Sequence, residues 1–232
     1  MIAFLASLAL TLSIRSPPPA GRLTAGEEHA LQQQRLGAMP SLDDEEASLL
    51  ASVGGKNAAT YGEMTSMGFR TLATHIGLGA EDIFVDLGSG EGALVLQAAD
   101  EFGVAHATGI ELAETRHAAA VDALAAVPED VRARTTLIIG DAAGDVAADV
   151  LAQASVVWCA NLLFDDALQR RLAARLGDAV CAGKVRAIAS LMPFPEGVRG
   201  LVQEDEYLRC DMSWDVGDAH PCVLYLRRDP NV

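Results

Sequence analysis

The sequence predicts an α/β fold, a Rossmann-like doubly wound sheet that is mostly parallel and closes with a C-terminal antiparallel hairpin. Three observations predict it. From about residue 62, short apolar runs alternate with segments of helical periodicity, the pattern of a parallel sheet covered on both faces. The apolar runs end on polar or acidic residues, and in an open α/β sheet ligands bind beyond the carboxyl ends of the strands. The last two strand-like segments, Tyr207–Trp214 and Cys222–Arg227, are joined by the turn signal Asp215-Val216-Gly217-Asp218.

Met67, Leu72 and Ile76 give helical spacing to the segment from Met64 to Ile76. Ile83-Phe84-Val85 is a short buried-strand signal ending at Asp86, and glycines then lead into a helical stretch through Leu94, Leu96, Ala99 and Phe102. His106–Ile110 is a second strand ending at Glu111, followed by an alanine-rich helix over Ala113–Ala126. Thr135–Ile139 is a third strand, ending at Gly140-Asp141. Ser155–Ala160 is a fourth, ending at Asn161, with a helix from Asp165 to Leu176; Val185–Leu191 is a fifth.

Residues 2–14 are apolar, too short to span a bilayer and followed by Pro17-Pro18-Pro19, which stops a helix. They read as a targeting-like segment or as a terminal helix, and residues 20–48, with the acidic cluster Asp43-Asp44-Glu45-Glu46, read as linker or loose helix. The expected division is an N-terminal segment over 1–40 and one domain over 41–232. Half of the 232 residues are hydrophobic, which excludes a disordered chain. The formal charge of −15 excludes a general basic surface for DNA or RNA but suits an acidic groove for a basic protein segment. The four cysteines lack C-x-x-C spacing, so they read as reduced thiols rather than a metal site or a disulfide framework.

The chemistry gathers at the strand ends. In Asp86-Leu87-Gly88-Ser89-Gly90-Glu91-Gly92 the glycines let the backbone turn sharply and approach a ligand. Glu111 is placed to accept both ribose hydroxyls of an adenosine, and Asp141 to accept from the adenine amino group. Gly88-x-Gly90-x-x-Ala93 also fits a dinucleotide pattern. Asp86 tips the reading the other way, because a carboxylate there repels pyrophosphate and suits the ammonium and sulfonium charges of S-adenosyl-L-methionine. Tyr61-Gly62-Glu63-Met64-Thr65 is either a lid over the methionine end or a helix cap, Thr60 with Glu63 making a fair capping box. Asn161 and Phe164 are the candidate catalytic residues: an amide to orient an incoming amine and an aromatic wall to dehydrate it. Dehydration matters because a lysine with its usual pKa near ~10.4 is protonated at neutral pH. Trp214 and Phe194 line the same channel or belong to the core.

These residues resemble the Dot-one-like (disruptor of telomeric silencing) histone lysine methyltransferases. The likeness runs through Tyr61-Gly62-Glu63, the loop from Phe84 to Gly92 with Val95-Leu96-Gln97, and Gly109-Ile110-Glu111. It continues in Asn161-Leu162-Leu163-Phe164, Ser190-Leu191-Met192-Pro193-Phe194 and Met212-Ser213-Trp214, covering about residues 60–229. The resemblance implies a class I methyltransferase fold and S-adenosyl-L-methionine as methyl donor. It also implies a histone partner (lysine seventy-nine of histone H-three as acceptor) and a nuclear location, while the short apolar run of residues 2–14 reads as no membrane span. A targeting role for residues 1–20 would instead imply an organelle or the secretory pathway. Carried over by position, Tyr61, Glu63 and Thr65 form the lid. Asp86, Gly88, Ser89, Gly90, Gly92, Glu111, Asp141 and Asn161 hold the cofactor, and Asn161 with Phe164 forms the transfer channel. The departures are Ala160 for the first of two family asparagines, Ala142 for an aromatic beside the adenine, Ala93 for a glutamine, and Leu224, next to Tyr225, for a channel tyrosine. They leave room for a non-histone protein or small-molecule acceptor, or for a cofactor-binding module without catalysis.

Overall fold

The structure, a computed structural model, describes residues 41–228. The apolar segment 2–14, the proline run and the expected boundary at residue 40 lie outside the described residues.

Five parallel strands form the centre of an eight-stranded sheet: β1 (Ile83–Leu87), β2 (His106–Glu111), β3 (Thr135–Ile139), β4 (Val156–Cys159) and β5 (Ala187–Ser190). β6 (Val202–Gln203), β7 (Leu208–Met212) and β8 (Asp215–Leu226) follow. The order is β3-β2-β1-β4-β5-β8-β6, with β8 antiparallel to β5 and β6, and with β7 paired to β8. The strand order reverses between β1 and β4, which places a crevice at their carboxyl ends. The helices are α1 (Asp44–Gly54), α2 (Ser66–His75), α3 (Ala93–Glu101), α4 (Glu114–Ala125), α5 (Glu129–Ala133), α6 (Asp145–Leu151) and α7 (Asp166–Ala182); a single 3₁₀ turn spans Asn161–Leu163.

The period-2 alternation of the strands builds two cores. Phe84, Val156, Trp158, Ala189 and Leu224 face one side with Phe69 and Leu72 of α2 and Val95 of α3. Val85, Leu87, Val157, Ile188 and Tyr225 face the other with Ala147 of α6 and Leu172 and Leu176 of α7. Asp86, between Val85 and Leu87, therefore points to the α2–α3 side.

Three expectations change. The acidic cluster is not linker: Asp43 caps α1, its Oδ1 accepting from the Glu46 N–H at 2.8 Å while Glu46 reaches back to the Asp43 N–H. The helix from Asp165 continues to Ala182, because Leu176, Ala179 and Val180 keep a buried face. The terminal hairpin turns at Ser213-Trp214 rather than at 215–218, since Met212 already pairs with Asp215. The cysteines are free thiols as expected: Cys210 lies opposite His220 and Cys222 opposite Leu208, and both are buried. Contact with Cys210, together with burial, pushes the Cys222 thiol pKa far up, so it stays protonated.

Candidate active site

Three adjoining cavities open where β1, β2 and β4 end, and Tyr61, Gly62 and Ala160 line all three. The first has a volume of about 100 Å³ and is walled by Gly88, Glu111, Asp141, Ala142 and Phe164, with Leu50 and Val53 contributed by α1. The second is about 230 Å³; Leu162, Leu163, Phe164, Leu191 and Trp214 make its walls apolar. The third lies behind them, between Asp86, Ser89, Trp158, Glu63 and Met64.

The glycine loop shapes the first and third cavities. Gly88 and Gly90 take φ of +83° and +54°, a backbone that side chains rarely tolerate. The N–H groups of Gly88 and Ser89 both donate to the Ile110 carbonyl, at 2.8 and 3.0 Å, and that of Gly90 donates to Glu111 Oε2 at 2.8 Å. Glu111 Oε1 also accepts from the N–H groups of Leu112 and Ala113. This carboxylate is held rigid at the rim and keeps one lone-pair site of about four for a ligand. Tyr61 packs over the loop: a Cβ at Gly90 would lie 2.5 Å from its ring. The Tyr61 hydroxyl donates to Glu63 Oε2 at 2.9 Å.

Asp86 is the exceptional group. It is buried, and its Oδ1 has no hydrogen-bond partner among the described residues. Burial, and then the nearby Glu111 charge, push its pKa up to about 8. An isolated buried carboxyl costs free energy unless a ligand completes it, and the ligand that fits is a cation.

The structure brings Tyr61, Glu63, Asp86, Gly88, Ser89, Glu111, Asp141 and Phe164 together at these cavities. Three expected site residues do other work. Thr65 caps α2, its Oγ1 accepting from the Gly68 N–H and donating to Asp211 Oδ2 at 2.8 Å; Thr65 is the helix cap there, not Thr60 with Glu63. Gly92 begins α3 with φ of +75°, and a Cβ there would meet Ala120 and Leu137, away from the cavities. Asn161 is fully buried and its amide is fully engaged. Oδ1 accepts from the N–H groups of Leu191 and Met192, and Nδ2 donates to Gln169 Oε1 and the Met192 carbonyl. It fixes the channel wall, and with both Oδ1 lone pairs occupied it has no side-chain acceptor left for the N–H groups of an incoming amine. Gly90 shapes the loop without lining a cavity. Asp141 lines the first cavity, but its Oδ1 accepts from the Ala143 N–H and its Oδ2 pairs with Arg171.

Trp214 is a channel wall, 44% exposed, whereas Phe194 is core, its N–H donating to the Tyr225 hydroxyl. Leu224 and Tyr225 face the two cores rather than the channel. Sequence reasoning missed α1 and Arg116 as parts of the first cavity. The Asp43/Glu46 capping box signals the helix; nothing in the sequence signals where Arg116 points.

The sequence profile of the family described as Histone methylation protein DOT1 matches residues 45–204, more than half of the chain. The chain belongs to this family. The match takes in α1, which contributes to the first cavity, and stops before the closing hairpin. A search of curated proteins finds no matching relative. Among solved structures, the methyltransferase domain of a bacterial Hen1 (CtHen1-CN) superposes with a TM-score of 0.52 at 13% identity, covering 69% of this chain and 97% of that one. The putative methyltransferase yhhF from Escherichia coli gives 0.51 at 19% identity, covering 71% and 88%. An RNA methyltransferase from Salinibacter ruber, crystallised with S-adenosyl-L-homocysteine, gives 0.48 at 19% identity, covering 69% and 91%. The sheet is that of the class I methyltransferase fold.

Proposed function

We propose that this DOT1-family chain is an S-adenosyl-L-methionine-dependent protein lysine N-methyltransferase acting on a histone. The observation that carries the reading is the buried Asp86 carboxyl, whose Oδ1 has no hydrogen-bond partner among the described residues, in a cavity that shares Ala160, Tyr61 and Gly62 with an apolar channel. The residues fit the donor. Asp86 would hold its ammonium group, Glu111 its ribose, and the first cavity its adenine, against Ala142, Leu50, Val53 and Phe164. Leu50 and Val53 of α1 supply apolar wall around the position where the family aromatic is replaced by Ala142. When bound, S-adenosyl-L-methionine supplies an electrophilic methyl group on a sulfonium sulfur.

The chain's own contribution is positioning and exclusion of water. Leu162, Leu163, Phe164, Leu191 and Trp214 strip solvent from an entering lysine, which favours its neutral, nucleophilic form. Asn161 keeps that wall in place by joining the 3₁₀ turn after β4 to the segment just after β5. The small Ala160 leaves the junction of the cavities open.

One observation favours a second reading, an acceptor other than a nucleosomal histone. Arg171, Arg175 and Arg186, in the densest basic stretch, pair with Asp141, Asp145 and Asp82 of the same chain. They are engaged at home rather than held ready for DNA. Incubation with labelled methyl donor and nucleosomes, free histones or whole-cell extract tests both readings. Label on a histone lysine supports the first, and label only on other proteins in the extract supports the second. Absence of protein label in all three contradicts both. Microscopy of the tagged full chain separates a nuclear site of action from an organellar one.

A further inference from the structure

We infer that Arg116 is a specificity-determining residue of the nucleoside pocket, donating to a ribose oxygen beside Glu111; the inference rests on the donor-binding reading above. Arg116 lies in the first turn of α4 and is 7% exposed, an unusual depth for an arginine that the Glu46 carboxylate meets only through its charge. Its Nη2 donates to the Ala59 carbonyl at 2.5 Å, and its guanidinium carbon stands 4.9 Å from the centre of the Tyr61 ring. These two contacts tie it to the segment that covers the glycine loop. They leave Nε, which is buried and has no hydrogen-bond partner among the described residues.

Arg116 and Glu111 line the same cavity. Three backbone N–H groups already occupy the Glu111 carboxylate, so one of its lone-pair sites is left for a hydroxyl hydrogen. A vicinal diol both donates and accepts, and an acceptor-only carboxylate reads half of it. The buried Nε–H of Arg116 supplies the other half. Leaving such a donor unpaired penalises a ligand without the oxygen more than a missing surface contact would.

The test is calorimetric titration of the full chain with S-adenosyl-L-homocysteine and with its 2′,3′-dideoxy analogue, in wild type, Arg116→Lys and Arg116→Met. Thermal unfolding without ligand checks that the variants fold. In wild type, the analogue binds about a hundredfold more weakly than S-adenosyl-L-homocysteine. In both variants the gap between the two ligands narrows about tenfold, because the variants lose affinity for the hydroxylated ligand alone. Arg116→Lys keeps a cation near Tyr61 and so separates this effect from loosening of the covering segment. Equal weakening of both ligands, or unchanged affinity for both, overturns the inference while leaving the donor site standing. Failure of wild type to bind S-adenosyl-L-homocysteine at all overturns the donor-binding reading and the inference with it.

Discussion

Asp86 and Asn161 show how far a residue's chemistry depends on what it faces. The folded pKa of Asp86, about 8, lies above the ordinary carboxylate value. A raised value means that its contribution to stability is full below the ordinary pKa and is lost as pH rises through about 8. The ligand-free protein should therefore reach its urea midpoint at lower denaturant at pH 8.5 than at pH 5.5, and Asp86→Asn should flatten that difference. A pH dependence unaltered in Asp86→Asn would contradict the assignment. Asn161→Ala leaves the N–H groups of Leu191 and Met192 and the Oε1 of Gln169 without their side-chain partner, while Gln169 Nε2 keeps the Asn161 backbone carbonyl. It should destabilise the fold by about 2–4 kcal/mol in urea unfolding and remove methyl transfer, while S-adenosyl-L-homocysteine still binds the folded fraction. The sequence shows that Asn161 ends a strand. It does not show which backbone groups its amide meets, because those lie 30 and 31 residues away in the segment just after β5.

At the scale of elements, β1 to β5 were readable because a buried strand is a short apolar run with a polar stop. Helix α1 was not, since three of its first residues are acidic and only Leu50 and Gly54 are buried. It is held by tertiary anchors instead. Glu46 Oε1 accepts from the Thr115 N–H at 2.7 Å, its Oε2 takes the Thr115 hydroxyl, and the Gly54 carbonyl accepts from the Asp165 N–H. The Thr115 bonds hold the Glu46 pKa below its usual value, so this anchor is present above the ordinary carboxylate range and is lost as pH falls through the lowered value. Glu46→Ala should expose residues 44–54 to limited proteolysis and weaken S-adenosyl-L-homocysteine binding about fivefold, as expected for a lost cap. Protection identical to wild type would contradict a role for α1 in closing the nucleoside cavity. The covering segment makes the companion case. Gly90→Ala places a methyl group where the Tyr61 ring lies and strains a positive φ. It should abolish ligand binding, as read by calorimetry, with the circular dichroism of the fold retained.

For the whole molecule, the doubly wound sheet and its closing hairpin follow from the alternation of elements, and the crevice follows from the reversal of strand order at β1 and β4. The turn position escaped because Asp215-Val216-Gly217-Asp218 is a good local turn signal that the pairing of Met212 with Asp215 overrides. A chain of charge −15 attracts a basic acceptor over long range, and salt screens that attraction. With free histone as acceptor, KM should rise several-fold between about 50 and 200 mM salt while kcat changes little. A KM indifferent to salt would argue for an uncharged acceptor.

The claim on which the account turns is that Asp86 is a cation-binding carboxyl, protonated when empty and ionised when filled. Titration of S-adenosyl-L-homocysteine at pH 7, in two buffers of different ionisation enthalpy, measures this directly through the heat of the proton released. One ligand should bind per chain with close to one proton leaving on binding, and Asp86→Asn should lose both. Binding without proton release, or with equal affinity in Asp86→Asn, would contradict it.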